Sequence, residues 1–215
     1  MSSDVNPLPV RPDLRAARTA RTEAAIVTAA RSLFLEHGYV ATTLADIALA
    51  AGVAARTVYV RFGTKAALFR RVIDEALVGD AEPVDVASRP RAQDAMSAPS
   101  LAERIDAFVE VSAGIHERVA ALFAVAAQAE VVEPEIAEAA TAGRDATLVM
   151  ARTFWESARA DGLVRAGVDL ERLAITTDVL ICADTTVHLG RVHAWTTARH
   201  ASWLRESLSA LASSA

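Results

Sequence analysis

At 215 residues, 53% of them hydrophobic, the chain can bury a substantial core without covalent staples. Its single cysteine, Cys182, excludes an internal disulfide, the N-terminal MSSDVNPLPVRPDLR lacks the apolar run of a signal peptide, and the apolar-rich run 119–129 is too short to span a bilayer, so a soluble, cytoplasmic protein is expected. The net charge of -5 hides an asymmetry: residues 1–77 carry 10 Lys and Arg against 7 Asp and Glu, a balance of +3, and the remainder 12 against 20, a balance of -8. A basic head on an acidic body is compatible with nucleic-acid contact, and equally with an ordinary solvated surface.

The first 19 residues read as a basic N-terminal arm. Its arginines Arg11, Arg15 and Arg18, with Arg21 just beyond, either track a DNA backbone or belong to a disordered tail. From Thr22 on, Ala25, Ile26, Ala29, Ala30, Leu33 and Phe34 recur at spacings of three and four, which predicts a helix ended by Gly38. Thr43 stands three residues before Asp46, a capping-box start for a second helix of about two turns that Gly52 stops. A third short helix carries Val58 and Phe62 on one face, and Gly63-Thr64 ends it and caps a fourth through Leu68, Phe69, Val72 and Leu77. Two short helices around a tight glycine turn make a helix-turn-helix candidate. Residues 79–100, rich in Pro, Ser and Asp, read as a loop; helices follow over about 101–130, 135–160, 169–189 and 197–213. No alternating strand pattern occurs, so the fold class is all-α.

A helix that enters the major groove hides one side and offers polar reach on the other. With Val58 and Phe62 inward, Arg56 and Val60 lie opposite, Thr57 and Tyr59 flank them, and Arg61 falls nearer the buried edge. Arg56 suits a bidentate contact to guanine, and the hydroxyls of Thr57 and Tyr59 suit phosphate or base edges. Thr43, at a helix N-terminus, suits a phosphate. Lys65, the one lysine of the chain, sits in the first turn of the fourth helix, where a cation opposes the macrodipole at a cost of about 0.3–1 kcal/mol. A phosphate bound there would reverse that sign, which predicts a backbone clamp; a solvated surface charge is the plainer alternative.

The stretch RTEAAIVTAARSLFLEHGYVATTLADIALAAGVAARTVYVRFGTKAALFRRVI, residues 21–73, resembles the DNA-binding domain of TetR-family transcriptional regulators. The resemblance rests on Ile26, Ala30, Phe34, Gly38-Tyr39, Thr43, Ile47-Ala48, Ala51-Gly52-Val53, Thr57, Tyr59, Phe62, Lys65 and Leu68 together. It implies a helix-turn-helix domain over 20–80 and a helical ligand-binding and dimerisation domain over 81–215. It further implies a homodimer on double-stranded operator DNA, and usually repression relieved by a small molecule. On matching positions it implies phosphate contacts from Thr43, Tyr59 and Lys65 and base contacts from the exposed side of 54–60, including Ala54, Ala55, Arg56 and Val60. Three positions depart from the family pattern. Ala54 replaces a frequent serine, losing a cap worth about 1 kcal/mol, while Arg56 replaces a common glycine and Arg61 a common aromatic or His.

In the acidic half, Leu170, Leu173, Ala174, Val179, Leu180 and Val187 form one apolar series and Trp203, Leu204, Leu208 and Leu211 another. They suit a four-helix dimer interface, or the completion of the monomer's own core. Phe123, Met150, Phe154, Trp155, Cys182 and His188 are candidates to line a pocket for a small apolar or aromatic effector, with ordinary core as the competing reading for each. His188, His193, His200 and Cys182 match no common metal-ligand spacing, and no local nucleophile-base arrangement or phosphate loop occurs, so no metal, cofactor or catalytic activity is expected. The rival reading is a helical small-molecule-binding or catalytic protein with a vestigial head; an activator, or a sensor of a protein partner, is a second.

Overall fold

The computed structural model describes residues 14–79 and 90–214. Those residues form ten helices: α1 Leu14–Ala41, α2 Leu44–Ala50, α3 Ala55–Phe62, α4 Lys65–Val78, α5 Pro90–Ser97, α6 Leu101–Ala129, α7 Pro134–Ala160, α8 Leu170–Ile181, α9 Ala183–His193 and α10 Thr197–Ser214. Arg11 and most of the predicted arm lie outside the described residues. Residues 14–19 of that arm are helical, the opening turns of α1.

The short helices start and stop where their end residues dictate. Thr43 and Asp46 form the full capping box of α2, and the side chain of Thr64 accepts from the Ala67 amide at the start of α4. Ala54 caps α3 with no side-chain bond. Gly38, at φ 77° and ψ 175°, breaks the helix where the sequence predicts its end, and a short helical stretch follows to Ala41.

Two predicted elements come out differently. Within the expected loop, α5 forms because Pro90 supplies a first helical residue whose missing N–H costs nothing, and because the body holds the segment. Ala95 is buried there, Ser157 Oγ donates to the Met96 carbonyl at 3.0 Å, and Arg104 Nε donates to that of Ala98 at 2.8 Å. The helix expected over 169–189 is broken at Cys182, which is extended at φ -65° and ψ 156°, while Gly190 lies inside α9. A buried imidazole bonds at the break, His200 Nε2 meeting the Leu180 carbonyl at 3.2 Å, and a second buried imidazole, His116, lies beside it with ring centres 5.8 Å apart.

The apolar residues form two cores. The first joins Ile26, Phe34, Ile47, Val58, Leu68 and Phe69 of the head to Val119, Leu122, Val125 and Ala129 of α6 and Ile136 of α7. The second holds Ile105, Phe108, Phe154, Trp155, Leu173, Leu204 and Leu208. The expected domain boundary near residue 80 therefore does not divide the cores. The head's four helices do not close their core alone, and the second half of α6 completes it. Between the cores α6 buries two polar residues, Ser112 and His116. Leu173, Leu204 and Leu208, considered for a dimer interface, are fully buried in the body's own core, whereas Val179 of the same series is exposed.

Candidate nucleic-acid interface

Helix α3 is held by its inner side. Val58 is buried and Phe62 half-buried against the first core, so Ala54, Ala55, Arg56, Tyr59 and Val60 face outward, with Thr57 half-buried beside them. Tyr59 is 57% exposed and Val60 72%, which in aromatic and β-branched side chains on a short helix leaves contact area for a partner. Arg56 and Val60 share one face at i, i+4, as the sequence pattern predicts.

At the N-terminus of α2, Thr43 Oγ1 accepts from the Asp46 amide at 3.1 Å and donates to Asp46 Oδ2 at 2.6 Å. The hydroxyl is thus committed to the cap. Along α1, Arg18 and Arg21, with Ala17, Thr22 and Ala25, face Ala51 and Val53 of the helix-turn-helix turn across an open cleft of about 450 Å³. Basic charge therefore continues from the recognition helix onto α1, a placement the sequence left open.

Two of the expected DNA contacts are engaged within the protein. Arg61 Nη1 donates to Glu23 Oε1 at 2.8 Å and Nη2 to Thr19 Oγ1 at 3.3 Å, bracing α3 on α1. Lys65 Nζ donates to the carbonyls of Tyr39 at 2.9 Å, Thr42 at 3.0 Å and Val40 at 3.5 Å, and stands 4.2 Å from the centre of the Tyr39 ring. Burial lowers its pKa, with Glu133 acting the other way. The fixed position of Tyr39 matters here: its ring stacks on Phe34 and tilts against Phe69, and its hydroxyl donates to Glu133 Oε2 at 3.0 Å. Burial first, then Glu133, pushes the phenol pKa up. Thr19, Glu23, Tyr39 and Glu133 were absent from the sequence-predicted site. Only the tyrosine carried a signal, as part of Gly38-Tyr39, because the others act across helices.

The six candidate pocket residues do not come together. Phe123 packs on the first core; Phe154 and Trp155 lie in the second, ring centres 5.0 Å apart, with Trp155 Nε1 donating to Thr177 Oγ1 at 2.8 Å. Met150 is 40% exposed, His188 lies at the surface beside His193, and the Cys182 thiol accepts from the Thr185 amide at the start of α9. Among the described residues no three His, Cys, Asp or Glu side chains are grouped to hold a metal ion, and no helix is long and apolar enough to cross a membrane.

A helix-turn-helix with an exposed, basic recognition helix, sharing its core with a helical body, defines a DNA-binding regulator fold. Residues 26–72 match the family described as bacterial regulatory proteins, tetR family. Within the curated proteins, the HTH-type transcriptional repressor ComR of Escherichia coli K12 is 51% identical over 45 residues, a match spanning 21% of this chain and 21% of ComR. Among solved structures, a protein described as a TetR-family transcriptional regulator from Rhodococcus sp. superposes with a TM-score of 0.67 at 15% identity, covering 90% of this chain and 99% of that one. A complex of SmeT with triclosan gives 0.68 at 18%, covering 88% and 90%. At such identities the likeness concerns the fold. Residues 26–72 thus match the DNA-binding domain of the tetR family, and the chain as a whole shares the fold of these solved structures.

Proposed function

We propose that the chain acts as a homodimeric transcriptional regulator, a repressor that leaves its operator when a small molecule binds the body. The observation that carries this reading is the outer side of α3, where Arg56, Tyr59 and Val60 stand exposed around a helix anchored by buried Val58. Arg56 reads a guanine. Ala54, Ala55, Thr57 and Val60 bring the helix into van der Waals reach of base edges, and Tyr59, the N-terminal end of α2 at Thr43, and Arg21 meet the backbone. Two such heads occupy successive major grooves about 34–36 Å apart, which implies a near-palindromic operator. The partner copy covers apolar side chains still exposed on the body, Ile175 and Val179 of α8 among them.

The effector is apolar or aromatic, in keeping with the triclosan bound by SmeT. Phe154 and Trp155 fill the second core, so such a molecule enters by separating α7 from α6 and α8. The protein works in the cytoplasm, where the operator is. Selection of duplexes from a random pool tests this: the full chain retains a two-fold symmetric motif and releases it to an aromatic ligand. Retention of no duplex at low salt removes the reading and favours the rival, a ligand-binding protein with an inactive head.

A further inference from the structure

In a chain whose other cations are all arginine, one lysine occupies a place where arginine would not fit. Three carbonyl oxygens, of Tyr39, Val40 and Thr42, converge on Lys65 Nζ, and the Tyr39 ring closes one side. An ammonium is a compact charge with three N–H bonds fanning from one nitrogen; a guanidinium is a flat fork that cannot direct its donors at three oxygens around a point. The electrostatics agree. Lys65 opposes the dipole of its own helix α4, but the carbonyls of the turn that follows the Gly38 break direct their oxygens at its ammonium, where a cation is favoured.

The same turn is secured from inside. Thr42, buried, donates its hydroxyl to the Gly38 carbonyl at 2.8 Å and lies 3.2 Å from that of Leu33. Thr43 follows immediately and opens α2. The carbonyls that end α1 are therefore closed off by Lys65 and Thr42, and the direction in which α2 presents its N-terminus follows from that closure.

Resting on the DNA-binding reading above, we propose that Lys65 is a positioning residue and not a phosphate contact: its ammonium locks the turn from α1 to α2, aims Thr43 and the first turn of α2 at the DNA backbone, and through Tyr39 ties that aim to Glu133 of the body. The hydrogens a phosphate would need are spent on the protein's own carbonyls, and the hydroxyl of Tyr39 spans head and body in a single bond.

The test compares the full-length protein with Lys65→Arg, Lys65→Gln and Tyr39→Phe on a duplex selected with the wild type, over a series of salt concentrations. Both Lys65 variants are expected to weaken binding about tenfold at every salt, and Tyr39→Phe about threefold, all with unchanged dependence of log affinity on log salt. A lysine on a phosphate behaves otherwise: Lys65→Arg binds like the wild type while Lys65→Gln loses about one unit of slope, and that result overturns the proposal. Wild-type affinity in Tyr39→Phe overturns the tie to the body. Amide exchange, which needs no DNA, gives a second readout: Lys65→Arg speeds exchange at Asp46 and Ile47 at least tenfold if the turn is locked by the ammonium, and unchanged exchange there defeats the proposal. Failure of the wild type to bind any duplex strikes the regulator reading and leaves the exchange result to decide the role of Lys65.

Discussion

Arg118, midway along α6, donates from Nε to the carbonyl of Ala76 at 3.0 Å and from Nη2 to that of Leu77 at 2.9 Å. One guanidinium thereby caps the C-terminus of α4, the helix that carries the head, with a side chain from the helix that runs through both cores. Gly79, in the left-handed conformation that ends α4, lies so close that a Cβ there would stand 2.7 Å from Arg118 Nε. Arg118→Leu is expected to lower stability by about 2 kcal/mol, the worth of charge-assisted bonds to otherwise orphaned carbonyls. Urea unfolding measures it. Gly79→Ala should also destabilise, since it adds positive-φ strain to the clash.

Arg61 and Glu23 form a partly exposed pair joining α3 to α1. Such pairs contribute at most about 1 kcal/mol to stability, so Arg61→Ala should unfold little more easily than the wild type. Its effect on DNA should come through the tilt of α3. In a double-mutant cycle of Arg61→Ala and Glu23→Ala, read as DNA affinity, the two changes should be non-additive; full additivity would mean that Arg61 acts on DNA independently.

Burial and the neighbouring His200 hold the His116 pKa down to about 4 from its ordinary 6.5, and burial lowers His200 as well. Their rings lie 5.8 Å apart. The unfolded chain takes up protons below pH 6.5 that the folded state refuses, so stability is fullest above about pH 6.5 and is lost as pH falls toward 4. For His116 the loss reaches about 3 kcal/mol at the lower end. Melting temperatures across this window should fall less steeply in His116→Gln, after subtraction of any constant offset.

Thr177 is buried in the second core and its Oγ1 accepts the indole N–H of Trp155, itself fully buried. Thr177→Val keeps the shape and removes the acceptor. The variant should lose about 1–3 kcal/mol, the cost of an unsatisfied buried donor, and Thr177→Ser, despite its small cavity, should lose less. Chemical denaturation of both separates the hydrogen bond from the packing.

Local chemistry was legible and cross-helix chemistry was not. Thr43 with Asp46, Gly52 and Gly63 mark the short helices because caps and positive-φ turns depend on residues a few positions apart. Val58 and Arg56 fall on opposite sides of α3 as the 3.6 period requires. Ser100 and Glu103 form an equally local capping box for α6. The partners of Lys65 and Arg61 come from α1 and the turn after it, and that of the α8–α9 break from α10, and no spacing rule reaches that far. Nor could periodicity reveal that half of α6 belongs to the head's core, since apolar positions do not name the surface they meet.

The central claim is that the outer side of α3 reads DNA sequence, and repeating the random-pool selection with Arg56→Ala tests it most directly. The account predicts a two-fold symmetric motif for the wild type and, for the variant, loss of preference at one base pair in each half-site with affinity down by about 1–3 kcal/mol. Recovery of the same motif at the same affinity by both proteins would contradict it.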